Sequence, residues 1–244
     1  MPVLSRAIRA ACSFAVATVI ITGCRAGGEE AECQSMPELS ADSGFSPGHI
    51  TVAADRVHFV KDALAQPGCP ALAPVCAQRA YVVPGDRVIV SIRRGDFLCA
   101  TYINAKGSDW SGWLPAAAVA DDKAEPVAVA DWLGKWSRVE AAITVTGGKA
   151  DALHIEGNAT YGAKDPDRVR HGGVNDGEIA ADVTPAGDRL GFAMGEDGTL
   201  PVDPGKEFTC RVWMQRIGPW LIVSDNLHCG GRHVTFRGIY TRKH

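Results

Sequence analysis

From residue 50 to residue 121, apolar and polar positions alternate in short runs broken by turn formers. Ile50 to Ala53, Val57 to Val60, Arg79 to Val83, Arg87 to Ile92, Phe97 to Asn104 and Trp110 to Leu114 are rich in β-branched and aromatic residues, which suit a pleated, half-buried surface. Val88 and Val90 alternate with Arg87, Ile89 and Ser91, so one face of that run is expected to turn inward. At Pro84-Gly85-Asp86 proline presets φ and glycine tolerates the positive φ of a tight turn. The pattern pauses at a charged break, Asp121 to Pro126. It resumes in Val139 to Thr146, Ala152 to Thr160, Gly177 to Val183, Arg189 to Ala193, Glu207 to Gln215, Trp220 to Asp225 and His233 to Arg242. Phe208, Cys210, Val212 and Met214 share one parity, as do Leu221 with Val223 and Val234, Phe236 with Tyr240, the period of two that marks strands. The spacing predicts an all-β chain with a small barrel over 48–121 and a second small antiparallel up-and-down barrel over 130–244.

The N-terminus is patterned differently. Arg6 and Arg9 precede an uncharged apolar run of 13 residues, Ala10 to Thr22, too short for the roughly 20 residues a spanning helix needs and ordered like a secretory signal. Ile21-Thr22-Gly23-Cys24 resembles the lipobox of bacterial lipoproteins. The resemblance implies cleavage after residue 23, lipidation of Cys24 and, with Arg25 next, sorting to the periplasmic face of the outer membrane. An ordinary signal peptide leaving Cys24 unmodified is the alternative. Residues 24–47, rich in Gly, Ser, Glu and Pro after the cysteine, are expected to form a flexible tether.

Export changes the reading of the cysteines. Beyond the anchor stand Cys33, Cys69, Cys76, Cys99, Cys210 and Cys229, an even set that favours disulfides over metal in an oxidising compartment. Cys210 and Cys229 are expected to pair. The other four allow three connectivities, and Cys99, inside a strand, is expected to join Cys69 or Cys76. The net charge of −3, without a basic stripe, excludes nucleic acid as the expected partner.

Ala80-Tyr81-Val82-Val83-Pro84-Gly85-Asp86, Phe97 to Tyr102 and Ser111-Gly112-Trp113-Leu114 resemble bacterial SH3-like domains. By that resemblance, Tyr81, Tyr102, Trp110 and Trp113 are candidate contacts to a peptide or cell-wall fragment, although Trp113 and one tyrosine also suit the core. Trp110, between Asp109 and Ser111, is expected to be exposed. Gly134-Lys135-Trp136 resembles the Gly-x-Trp signature of lipocalin-like (calycin) barrels, which implies that the tryptophan closes one barrel end beneath an arginine from the last strand, Arg242 or Arg237. Trp136, Trp213 and Trp220 are read as packing, because small barrels are filled by their own side chains.

Ser224 to Phe236 loosely resembles small secreted β domains that accompany lysozyme inhibitors. Asp225, His228, Arg232 and His233 are therefore either parts of a disulfide-held turn or a loop presented to a partner. No phosphate loop or His-Glu-x-x-His occurs, and no metal or cofactor is expected. The resulting expectation is a non-enzymatic envelope lipoprotein that binds peptidoglycan or a protein or peptide. The alternative is an inhibitor of a lysozyme-type or other envelope-directed enzyme.

Overall fold

Alternating Val, Ile and Leu positions fold into two antiparallel sheets in the computed structural model, which describes residues 32–33, 35, 39–40, 43–52, 54–105, 107–195, 198–202 and 208–243. The expected signal segment, Cys24 and Glu207 lie outside the described residues. The chain is all-β, and both sheets belong to one compact unit, Ala31–His244.

The first sheet contains β1 (Ser46–Ile50), β2 (Val57–Val60), β3 (Ala77–Val82), β4 (Arg87–Arg94), β5 (Phe97–Ile103), β6 (Asp109–Pro115) and β7 (Val119–Asp121). Their order across the sheet is β3-β2-β6-β5-β4-β1-β7. Its two faces bury different side chains. Val82, Val88, Leu98 and Leu114 form one core, whereas Cys99 and Trp113, opposed across β5 and β6, belong to a cluster on the other face.

The second sheet contains β8 (Gly134–Arg138), β9 (Ala141–Gly147), β10 (Leu153–Tyr161), β11 (Asn175–Val183), β12 (Arg189–Gly195), β13 (Gly198–Leu200), β14 (Arg211–Ile217), β15 (Trp220–Asp225) and β16 (Gly238–Lys243). Its order is β11-β10-β9-β8-β16-β15-β14-β12-β13. Pairing of the last strand with the first makes it nearly barrel-shaped, and the backbone N–H of Asp182 on β11 donates to Thr199 Oγ1 on β13 across the remaining gap, 2.8 Å. The interior is filled by Trp132, Trp136, Phe192, Met214, Phe236 and Tyr240 among others. Trp132 ends the short helix α1 (Val129–Trp132) just ahead of β8. At the opposite end the β15–β16 loop crosses to β11, where Gly231 N–H donates to Asp176 O at 2.9 Å. Cys229, bonded to Cys210, anchors that loop.

Several expectations need correction. The pairs are Cys33–Cys99 and Cys69–Cys76, so Cys99 joins neither Cys69 nor Cys76. Those two lie within one loop and find each other, while the segment expected to be a tether brings Cys33 onto the sheet. That segment is not wholly a tether: β1 begins at Ser46, and Leu39 and Phe45 are buried. The run expected from Ile50 to Ala53 ends as a strand at Ile50. The run from Val139 begins in a turn, because Glu140 takes φ 58° and separates β8 from β9. Phe208, expected inside with Cys210, stands out at the surface against the His228 ring.

Ile89 also departs from simple alternation. It faces away from the first core yet is buried, packed with Phe45, Ile217, Trp220 and Ile222 where the two sheets meet. Gln215 knits the junction: its Oε1 accepts from Phe45 N–H and its Nε2 donates to Phe45 O, both at 2.9 Å.

Candidate functional site

A single register row crosses the first sheet. Trp110 opposes Tyr102, Tyr102 opposes Val88, Val88 opposes Gly48 and Gly48 opposes Asp121. Trp110 is 50% exposed, because the β5–β6 turn carries it past the core, and Tyr102 packs partly on that core. At the other end, Val88 and Gly48 line a cleft of about 930 Å³. Three strand spacings of about 4.8 Å separate Trp110 from Gly48, roughly 14 Å or the length of about four extended residues.

The cleft carries both signs of charge. His49, Arg87, Lys123 and Arg216 line it together with Asp122, Glu125, Asp131 and Asp188. His49 Nδ1 and Asp122 Oδ1 lie 2.6 Å apart, and Asp188 Oδ2 accepts from Gln215 Nε2 at 2.8 Å. Arg216 is bound through carbonyls: its guanidinium donates to Asp131 O (3.1 Å), Gly218 O (2.8 Å) and Trp220 O. Burial first, and then the nearby charge of Arg242, push its pKa down to about 10. The sequence carries a signal for Arg216 that the strand reading passed over, a charged residue on the parity of Cys210, Val212 and Met214. Gln215 and the acidic wall have no such mark, because their grouping depends on the junction between the sheets.

The four aromatic candidates do not form one patch. Trp113 is fully buried with both first-sheet disulfides, since Cys99 opposite it and the Cys69–Cys76 loop cover its face, and it offers no ligand surface. Tyr81 has the opposite parity to the core residues Ala80 and Val82, and sits beside His58 and under Arg56, whose Cζ is 4.4 Å from the ring centroid. Only Tyr102 and Trp110 are brought together.

The C-terminal candidates divide likewise. Asp225 is buried, accepting from Phe236 N–H at 2.7 Å and from Thr235 Oγ1 at 2.8 Å, so it organises the loop instead of facing a partner. His228, Arg232 and His233 are exposed. The His233 ring lies 5.0 Å from Tyr161, Arg168 stacks over Tyr161, and Arg232 O accepts from Asn175 Nδ2. Among the described residues no group of three His, Cys, Asp or Glu side chains is arranged to hold a metal. No helix among them is long and apolar enough to cross a membrane.

At the α1 end of the second sheet, Trp136 lies under two cations, Arg216 at 4.3 Å and Arg242 at 4.7 Å from its centroid. Trp136 Nε1 donates to Trp132 O at 2.9 Å, and Arg242 Nη2 donates to Asp131 O at 2.5 Å. Arg242 is thus the stacked arginine. Arg237 instead donates to Asp225 O at 3.4 Å, where burial lowers its pKa. Comparison with known proteins finds no matching family model, no matching curated protein and no matching solved structure.

Proposed function

We propose that this chain is an exported protein, lipid-anchored through Cys24 in the cell envelope, that binds an extended peptide without catalysing a reaction on it. The supporting observation is the half-exposed Trp110 beside Tyr102 on the sheet that, two strands further at Gly48, borders the two-signed cleft; Val88 between them is core and offers no ligand surface. An aromatic platform offers contact area with little rotamer entropy to lose, and adjacent acids and bases complement a ligand bearing both charges. The stem peptide of peptidoglycan has that chemistry. The first sheet is read as SH3-like and carries the site. The second is read as lipocalin-like, supported by the pairing of its first and last strands and the Arg242–Trp136 stack. Because its interior is filled, it acts as an interaction or spacer module without a ligand cup.

Sedimentation with purified peptidoglycan sacculi tests this reading, using the chain from Arg25 onward beside Tyr102→Ala/Trp110→Ala. The wild type is expected to pellet with the wall and the double variant to stay in solution. Equal sedimentation of both removes the site from this row, and no sedimentation of either removes the wall as ligand.

A further inference from the structure

Sixteen residues from Lys61 to Cys76 form a loop that the peptide-binding row does not use. Its tip is Cys69-Pro70-Ala71-Leu72-Ala73-Pro74-Val75-Cys76, closed on itself by the Cys69–Cys76 disulfide. Ala71 and Ala73 turn inward onto the cluster of Cys33, Cys99 and Trp113, while Leu72 between them projects with 79% exposure, flanked by Val75 at 55%. Burial of this kind is what an apolar residue ordinarily seeks, and here the fold presents it to solvent. The stem is fixed as well: Lys61 N–H donates to Cys76 O at 2.8 Å, Lys61 Nζ to Val75 O at 2.9 Å and Cys69 N–H to Gln66 O at 3.1 Å. Ala73, preceding Pro74, is extended at φ −88° and ψ 142°, as a residue before proline prefers.

We propose that this loop is an inhibitory plug for an endopeptidase whose specificity pocket accepts an apolar side chain, with Leu72 as the residue that enters the pocket. A projecting, preordered segment fits a concave partner and loses little conformational entropy on binding. A single apex side chain between two prolines matches a cleft that reads one pocket at a time. If the bound enzyme hydrolyses the Leu72–Ala73 bond, one water is consumed and a Leu72 carboxylate and an Ala73 amine form. The Cys69–Cys76 disulfide keeps both halves attached, so the cut ends remain in place. A lipid surface is the less suited partner, because no aromatic side chain occurs from Lys61 to Cys76 and the loop's one basic residue, Lys61, is tied to Val75 O at its stem, whereas membrane-surface segments use aromatic and basic side chains together.

Residual hydrolysis of chromogenic peptides by subtilisin and by trypsin, titrated with the full chain, tests the assignment. The wild type is expected to inhibit subtilisin and spare trypsin. Leu72→Lys should weaken subtilisin inhibition on the order of 30-fold or more, the scale of an interface hot spot, and gain inhibition of trypsin, a gain that misfolding cannot produce. Cys69→Ala/Cys76→Ala should turn the loop into a substrate cleaved between Leu72 and Ala73. The proposal is overturned if neither enzyme is inhibited by either chain, or if the wild type is cleaved as fast as the double cysteine variant. Leu72-dependent pelleting with phosphatidylglycerol vesicles, without inhibition, likewise overturns it in favour of a membrane contact.

Discussion

Arg242 on the last strand stacks over Trp136 on the first strand of the second sheet, its guanidinium carbon 4.7 Å from the ring centroid. The contact joins the first and last strands of the sheet where β16 pairs with β8. Trp136 has no exposed surface, so Trp136→Ala is expected to cost about 3–5 kcal/mol as a cavity substitution. Arg242→Ala, at a more exposed position, should cost only about 1–2 kcal/mol for the stacking and its hydrogen bond. Urea denaturation of the two variants checks the order, and a larger loss for Arg242→Ala would contradict it.

The two tryptophans of β6 should behave as opposites. Trp113→Ala removes a buried indole wedged against two disulfides and is expected to cost about 3–5 kcal/mol. Trp110→Ala removes a half-exposed one and should change stability by no more than about 0.5 kcal/mol. Iodide quenching gives an independent readout: most of the quenchable tryptophan fluorescence should disappear in Trp110→Phe.

His154 sits on the outer surface with Nδ1 2.8 Å from Asp182 Oδ1 and Nε2 3.5 Å from Glu156 Oε1. The Asp182 hydrogen bond raises its pKa above 6.5 against the opposing effect of desolvation, with further support from the Asp182 and Glu156 charges. A histidine whose folded pKa is raised contributes stability fully below its unfolded pKa, and loses that contribution as pH rises through the folded value. NMR titration of the His154 ring should therefore show a midpoint above 6.5, and Asp182→Asn should lower it.

The disulfides should rank by the chain they close. Sequence separations of 66, 19 and 7 for Cys33–Cys99, Cys210–Cys229 and Cys69–Cys76 correspond to about 4, 3 and 2 kcal/mol in the loop-entropy model. Paired serine substitutions followed by chemical denaturation check this order.

Local patterning revealed most of the strands, and nonlocal contacts hid most of the corrections. Val57–Val60 and Trp220–Asp225 emerge with the predicted bounds, because short runs rich in β-branched and aromatic residues mark a strand whichever faces it buries. Ile89 obscured the second face of β4, since an outward position reads as exposed until another sheet covers it. The Cys33–Cys99 link was equally illegible: no period marks residue 33, and its partner is 66 residues away. At the candidate site, Tyr102 and Trp110 stood out as aromatics, but their alignment with Gly48 depends on three strand registers at once. Asp225 has the residue type of a presented acid and the position of a turn organiser, and only its bonds to Thr235 and Phe236 decide between them.

Gly177 on β11 tests how the loop end of the second sheet is covered. A Cβ placed there would lie 2.4 Å from Cys229 O and 2.7 Å from Gly230 Cα, both backbone atoms of the loop that crosses the barrel end. Neither can rotate away, and the Cys210–Cys229 disulfide limits how far the loop can lift. Gly177→Ala should therefore separate the loop from β11, strain the Gly231–Asp176 hydrogen bond and cost about 1–3 kcal/mol, the range for overpacking. Gly147→Ala, whose added carbon meets nothing within 4 Å, is the control and should leave the melting temperature nearly unchanged. If the loop is what seals Phe236 and Val234 into the interior, Gly177→Ala should also increase binding of an apolar dye. A destabilised variant that binds no more dye than the control would mean that the core stays sealed without this contact.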